Sequence, residues 1–158
     1  MNWKRNLIRL KHKVMTQENK IRLFLVDDDE LYLKLLEIEF MENADFIVET
    51  FATGEHCIKN LEHNPDFIIL DYHLDGIEKS AMNGIEALDK IKAFNPDIPV
   101  IMLSCQDKID VAVNCMHHKA ADYIVKSETA FIRLQQSITS IFHTRKIEKT
   151  LNWYMEKM

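Results

Sequence analysis

The sequence holds only three cysteines, and no two of them form a CxxC pair. Three thiols cannot all be paired by disulfides within one chain, and such sparse use is typical of a reducing compartment. The three positions are Cys57, Cys105 and Cys115. We therefore predict a cytoplasmic protein.

Long apolar runs are missing as well. No segment approaches the roughly 20 consecutive apolar residues that span a bilayer. Residues 1–20 also lack the continuous apolar centre of a secretory signal. Basic residues interrupt every run there, namely Lys4, Arg5, Arg9, Lys11 and Lys13. A chain of 158 residues that is 47% hydrophobic and 28% charged is expected to be one globular domain with a sizeable core and no membrane segment.

Charge is unevenly distributed along the chain. Residues 1–20 contain six Lys or Arg and one acidic residue, so the remainder carries 14 basic and 24 acidic side chains. This acidic body is not suited to nucleic acid, and we predict no direct nucleic-acid contact. Residues 1–19 are predicted to be a basic, solvated N-terminal extension without a function of its own, although such a segment could also contact an acidic partner or lipid.

From Ile21 onward, short apolar runs alternate with segments of helical period. This alternation is typical of a parallel sheet covered by helices on both faces. In the first helix, Leu31, Leu35 and Ile38 mark the apolar period. We predict strands over residues 21–26, 46–51, 67–71, 98–104 and 121–126, and helices over 30–41, 54–63, 84–94, 108–118 and 129–158. The fold class is therefore a doubly wound α/β sheet of five parallel strands.

The stretch DFIILD, residues 66–71, places a carboxylate at the end of an apolar strand, where a buried charge needs a partner. Parallel strands all end at one edge of the sheet, where such folds bind ligands. Three carboxylates gathered there would repel one another unless a cation lay among them, and oxygen ligands suit Mg²⁺. The strand ends supply Asp27, Asp28, Asp71, Ser104 and Lys126.

These motifs together resemble the receiver domain of two-component response regulators. The matching segments are LFLVDDDE, PDFIILD, PVIMLS and AADYIVK, and the resemblance covers about residues 20–140. Each motif alone is weak, because an Asp after a strand is more often a helix cap. These four motifs together, in this order and each at the end of a strand, are specific. The resemblance implies the flavodoxin-like strand order 2-1-3-4-5.

The resemblance also implies a function. A sensor histidine kinase or a histidine phosphotransfer protein would phosphorylate Asp71, and the receiver itself would catalyse this transfer without being an enzyme in the usual sense. Asp27, Asp28, Asp71 and the backbone carbonyl of His73 are the expected ligands of Mg²⁺, for which Mn²⁺ could substitute.

Two further residues are expected to hold the phosphoryl group, Lys126 as a compact cation and Ser104 through its hydroxyl. The family's switch aromatic corresponds to Tyr123. Phosphorylation is expected to change the surface of the fourth helix, the fifth strand and the fifth helix for a downstream protein.

The sequence departs from the family pattern in several places. Residues 77–81 look like an insertion in the loop before Gly84. Ser127 stands where the family usually has a cis-bonded proline, so either the cis bond is retained or the turn is trans and Lys126 points elsewhere. Cys105 is expected to be a small buried thiol. His73 and Gln106 occupy the two variable positions that tune dephosphorylation in this family.

The last helix carries Ile147, Leu151, Tyr154 and Met158 at spacings of 4, 3 and 4, which is the start of a coiled-coil seam. We consider both a homodimer through this helix and a helix that packs on its own sheet. The predicted organisation is an N-terminal extension over 1–19, a receiver domain over 20–142 and a helical extension over 143–158.

Two other functions compete with the phosphorylated switch. A haloacid-dehalogenase-like phosphatase also uses an Asp nucleophile and Mg²⁺, but it needs an Asp-x-Asp pattern, whereas the next acid after Asp71 is Asp75. A receiver-like interaction module without phosphorylation is the other alternative.

Overall fold

The computed structural model describes residues 20–158. Its strands are β1 (Ile21–Val26), β2 (Phe46–Phe51), β3 (Phe67–Asp71), β4 (Val100–Ser104) and β5 (Asp122–Val125). Its α-helices are α1 (Glu30–Met41), α2 (Gly54–Lys59), α3 (Gly84–Phe94), α4 (Ile109–His117) and α5 (Ala130–Lys157). A short 3₁₀ turn at Leu61–His63 follows α2. The predicted N-terminal extension over 1–19 lies outside the described residues.

The five strands pair in the order β2-β1-β3-β4-β5, and every pair is parallel. The predicted fold class and strand order are therefore confirmed. Every residue of β3 and β4 is buried, as expected for central strands with both faces covered. Since all five carboxyl ends share one edge, Val26, Asp71 and Ser104 finish near one another.

Alternating side chains of each strand enter two separate cores, which follows from the two-residue period of a strand. On one face, Leu23 and Leu25 pack in a cluster with α1 and α5. On the other, Phe24 and Val26 pack in a cluster with α2, α3 and α4. The sheet is thus a middle layer between two helical layers.

Helix α1 has the predicted bounds, but the residues that mark its apolar period in the sequence do not form its buried face. Leu33, Leu36 and Phe40 are buried, whereas Leu31 is 73% exposed and Leu35 and Ile38 are each 52% exposed. The reason is that α1 carries apolar residues on two sides, so a helical period alone does not identify the side that meets the sheet.

Side chains at the helix starts explain several boundaries. Asp29 Oδ1 accepts hydrogen bonds from the Leu31 and Tyr32 amides at 3.1 and 3.2 Å, and Asn83 Oδ1 accepts one from the Glu86 amide at 2.9 Å. At α5, Thr129 occupies the cap position but makes no such bond. Neither Thr129 nor Ser127 therefore caps α5 through a bond to a helix amide, because their hydroxyls lie 3.2 Å from each other instead.

Helix α5 is 28 residues long, about 42 Å at 1.5 Å per residue. Its buried residues, among them Leu134 and Ile138, all lie in the first half. The Arg145 guanidinium donates to the Asp97 carbonyl in the loop before β4. No described residue from 142 to 158 is buried, so this half of the helix contributes no side chain to the core.

Candidate functional site at the carboxyl edge

The edge where the strands end brings three carboxylates together. Asp27 and Asp71 are buried, with exposures of 2% and 3%, and Asp28 is half-buried. One oxygen from each of the three lies within 4.8 Å of the others. The third acid of the triplet, Asp29, faces away and caps α1. Of the three consecutive acids, only Asp27 and Asp28 therefore join Asp71.

Lys126 supplies the positive charge in this cluster. Its Nζ lies 2.8 Å from Asp27 Oδ2 and 3.4 Å from Asp71 Oδ1. Burial favours the neutral amine, but the two carboxylates outweigh it and raise the pKa of Lys126 above its ordinary value. The ammonium is therefore a fixed charge at the site.

The Lys126–Ser127 bond is trans, as are all peptide bonds in residues 20–158. Of the two alternatives for Ser127, the turn is thus trans. The accompanying concern, that Lys126 would then point elsewhere, is not borne out, because its ammonium contacts both Asp27 and Asp71.

Asp71 shows that one lysine does not balance this cluster. Its pKa is raised to about 8, first by burial and then by the charge of Asp27, while Lys126 opposes the shift. A carboxyl group so crowded by negative charge gains from a divalent cation nearby. The electrostatics therefore favour a metal ion next to Asp71.

The residues present fit Mg²⁺. Asp27 Oδ2 is buried and makes no well-aligned hydrogen bond within residues 20–158, so its ion-pair contact with Lys126 leaves coordinating capacity free. Asp27 Oδ1, by contrast, accepts a hydrogen bond from the Asp29 amide at 2.9 Å. A cluster of carboxylate oxygens is the donor set that a hard cation prefers.

Ser104 ends β4 fully buried, and its hydroxyl accepts a hydrogen bond from the Gln106 amide at 3.0 Å. The carbonyl of Gln106 accepts a hydrogen bond from the Tyr123 hydroxyl. Ser104 and Tyr123 are therefore linked through one residue of the loop after β4, Gln106. Burial raises the pKa of Tyr123, so its hydroxyl remains a donor at neutral pH.

The two tuning positions meet at this edge. The side-chain nitrogen of Gln106 lies 2.9 Å from His73 Nε2, so a side-chain bridge joins the loops after β3 and β4. The His73 amide donates a hydrogen bond to Asp71 Oδ1 at 3.4 Å. Cys105, expected to be buried, is exposed instead, because it lies on the outward side of the loop between Ser104 and Gln106.

The loop between β3 and α3 is fixed at both ends. Leu74 is buried in the core, and the Met82 amide donates to Glu55 Oε1 at 2.6 Å. A Cβ built on Gly76 would lie 3.1 Å from Asp28 Oδ2, so the loop passes directly beside the acidic cluster. The insertion itself lies further out, with residues 77–80 exposed.

One site residue was missed from the sequence. The Tyr32 ring, in the first turn of α1, lies 4.5 Å from Lys126 Nζ, measured to the ring centroid. Nothing in the spacing links positions 94 residues apart. The one feature of the sequence that could have pointed to Tyr32 is its place as an aromatic residue in the first turn of the helix that follows Asp27 and Asp28.

Comparisons with known proteins agree with this geometry. Residues 23–139 match the family model described as the response regulator receiver domain. The regulatory protein LuxO of Vibrio vulnificus strain YJ016 is 35% identical over 80 residues, which are 50% of this chain and 17% of LuxO. The transcriptional regulatory protein ZraR of Klebsiella oxytoca is 28% identical over 82% of this chain and 28% of ZraR. The chain thus spans under a third of these curated relatives.

Solved structures show the same similarity. The receiver domain of a putative LuxO repressor protein from Vibrio parahaemolyticus superimposes with a TM-score of 0.71 at 26% identity, covering 84% of this chain and 97% of that one. A CheX–CheY–BeF₃–Mg²⁺ complex from Borrelia burgdorferi contains a chain with a TM-score of 0.67 at 28% identity, covering 77% and 89%. In residues 20–158, no helix combines the length and apolar character needed to cross a bilayer.

Proposed function

The chain belongs to the response regulator receiver domain family of two-component signalling, and from this premise we propose that Asp71 is its phosphoacceptor. The observation that carries the proposal is the contact of one lysine with two buried acids, since Lys126 Nζ lies 2.8 Å from Asp27 and 3.4 Å from Asp71. The family match also favours this function over the phosphatase alternative.

Phosphoryl transfer needs positioning and charge stabilisation more than covalent chemistry from the protein. Asp27, Asp28, Asp71 and the backbone carbonyl of His73 would hold Mg²⁺, which supplies neutralisation of the charge that develops on the phosphoryl oxygens. Lys126 would contact one phosphoryl oxygen and the Ser104 hydroxyl another. Mn²⁺ has similar ligand preferences and would serve in its place.

The switch would run through Gln106. When the Ser104 hydroxyl turns toward a phosphoryl oxygen, it gives up its bond to the Gln106 amide, and the loop that also holds the Tyr123 hydroxyl is free to move. The bridge between Gln106 and His73 crosses the same edge, and we assign it the tuning of dephosphorylation by limiting access of water.

Two exposed apolar surfaces support partner binding. The outer side of α1 starts directly beside the acidic cluster and suits the kinase or phosphotransfer protein that must reach Asp71; it exposes Leu31, Leu35, Ile38 and Met41. The outer side of α4 suits a downstream protein, because α4 follows the loop that holds Tyr123; it exposes Ile109, Val113 and Met116.

We assign residues 20–142 to the receiver domain and 143–158 to a helical extension. A second copy of the chain is the proposed partner of that extension, because Ile147, Leu151 and Tyr154 are all more than half exposed along one side of it. Cytoplasmic location follows from the proposed phosphodonor, a kinase domain or phosphotransfer protein.

The decisive experiment treats the full chain with BeF₃⁻ and Mg²⁺, or with acetyl phosphate and Mg²⁺. We expect BeF₃⁻ to shift the NMR signals of Ser104 and Tyr123, and acetyl phosphate to add one acid-labile phosphoryl group. Asp71→Asn should abolish both responses, while Asp75→Asn, a matched change four residues on, should preserve them. An equal response from Asp71→Asn would overturn the assignment and favour the unphosphorylated interaction module.

A further inference from the structure

The Lys126 ammonium contacts an aromatic ring as well as the carboxylates of Asp27 and Asp71. Its side chain is only 12% exposed, with Asp27 and Asp71 on one side and the Tyr32 ring on another. The distance of 4.5 Å from Nζ to the ring centroid is well inside the roughly 6 Å over which an aromatic face attracts a cation. Because the site excludes most water, this attraction is stronger than on an open surface.

Tyr32 is itself fixed by the acidic triplet. The Tyr32 amide donates to Asp29 Oδ1 at 3.2 Å, and the Asp29 amide donates to Asp27 Oδ1 at 2.9 Å. Asp27 Oδ2 in turn contacts Lys126 Nζ at 2.8 Å. These contacts form a closed ring that runs from Asp27 through Asp29, Tyr32 and Lys126 back to Asp27.

We propose that Tyr32 is a positioning residue that keeps the Lys126 ammonium above Asp71 in this chain. The inference rests on the proposed phosphoacceptor function. A four-carbon lysine stem has many rotamers to lose when its ammonium is held in one place. The Tyr32 ring, 4.5 Å from Nζ, restricts those rotamers together with the two carboxylates.

The contact of the Tyr32 ring with the Lys126 ammonium would matter most when Asp27 and Asp71 bind a metal ion instead of the ammonium. In the structure, Asp27 and Asp71 share the ammonium. Carboxylates that held a metal ion would attract the ammonium less strongly, whereas the neutral ring would keep its contact. Tyr32 would therefore keep the ammonium near an incoming phosphoryl oxygen.

Three variants of the full chain test this role against simple packing, since Tyr32 also packs against the core beneath α1. Tyr32→Phe keeps the ring, so acetyl phosphate and Mg²⁺ should phosphorylate this variant at a rate within about twofold of the wild-type rate. Tyr32→Leu keeps most of the apolar volume and loses the ring face, so the rate should fall by about fivefold to tenfold. Tyr32→Met serves in its place if Tyr32→Leu fails to fold.

Two further readouts separate positioning from packing. The ring current should shift the Lys126 ε-methylene NMR signals upfield in wild type and Tyr32→Phe, and this shift should vanish in Tyr32→Leu. In a Lys126→Met background, Tyr32→Leu should cause no further loss of rate.

The outcomes are distinct. Any of three results would overturn the inference. Tyr32→Leu could be phosphorylated at the wild-type rate, Tyr32→Phe and Tyr32→Leu could lose rate equally, or Tyr32→Leu could cause its full loss of rate in the Lys126→Met background as well. If wild type takes up no phosphoryl group, the proposed function fails instead. The presence or absence of the Lys126 upfield shift then decides the Tyr32 contact independently.

Discussion

The proposed role of Asp71 makes two opposite demands on its carboxyl group, which would have to be buried to be shielded from water and charged to react. Burial and the nearby Asp27 raise its pKa to about 8. Below that pKa a proton occupies the carboxyl, and a metal ion must displace it. Metal binding and proton release are therefore coupled at this residue.

This coupling predicts a pH dependence for Mg²⁺ binding. Since the raised pKa of Asp71 is about 8, the apparent dissociation constant should fall as pH rises from about 6 to 8, by up to about tenfold per pH unit, and then level off. Titration calorimetry at several pH values measures it.

Asp71→Asn is the matched control for this titration, because the amide has no proton to release. It should bind Mg²⁺ more weakly, with a nearly flat pH profile over the same range. A wild-type profile as flat as that of Asp71→Asn would contradict the account of Asp71.

At the scale of single residues, the sequence identified most of the site. Asp27, Asp28, Asp71, Ser104 and Lys126 lie on one edge because each ends or follows a strand whose apolar run is easy to read. Tyr32 was missed and Cys105 was wrongly expected to be buried, because their positions depend on a helix turn and on a loop direction that no strand pattern specifies.

At the scale of elements, one glycine allows the start of α3 to pack against the end of β3. A Cβ built on Gly84 would lie 2.5 Å from the Asp71 carbonyl oxygen and 2.7 Å from Tyr72 atoms, all of them backbone. The Gly84 amide also donates to the Tyr72 carbonyl at 3.1 Å. The helix therefore approaches the end of β3 as closely as backbone allows.

We expect Gly84→Ala to lower the free energy of unfolding by about 1–3 kcal/mol, because backbone must move to admit the methyl group. Urea unfolding measures this loss, and the displaced Asp71 should also react more slowly with acetyl phosphate.

Gly76→Ala is the control for this change, since the nearest atom to its Cβ is a side-chain oxygen, Asp28 Oδ2 at 3.1 Å. It should cost much less stability than Gly84→Ala. Equal losses at the two glycines would count against the close approach at Gly84.

The bounds of the elements were predictable where apolar runs met clear ends, as in β3 with Pro65 before it and Asp71 at its end. The buried side of α1 was not, because Leu33 and Leu36 compete with Leu31 and Leu35 for the same period. Only the packing of α1 against Leu23 and Leu25 of the sheet resolves that ambiguity.

At the scale of the whole molecule, the second half of α5 sets the oligomeric state that we propose. Its outer side exposes Ile147, Leu151 and Tyr154, each more than half accessible. Paired with a second copy, these three positions and Met158 would form a short coiled-coil seam of about two heptads, so we expect a weak, concentration-dependent dimer.

Equilibrium sedimentation of the full chain and of a chain ending at residue 143 measures this dimer. The shorter chain should be monomeric at concentrations where the full chain associates, and Leu151→Lys should act like the truncation. Trp153→Lys, a change at a neighbouring exposed position off the seam, should leave association intact. A full chain that stays monomeric would end the proposal.

The hydroxyl of Tyr123 and the hydroxyl of Ser104 both hold Gln106, one at its carbonyl and one at its amide. Thermodynamic linkage then works in both directions. If phosphorylation releases the Tyr123 hydroxyl from Gln106 as we propose, a protein that binds only the released form favours the phosphorylated state by the same coupling free energy. An abundant target protein would then raise the phosphorylated fraction of the protein that it binds.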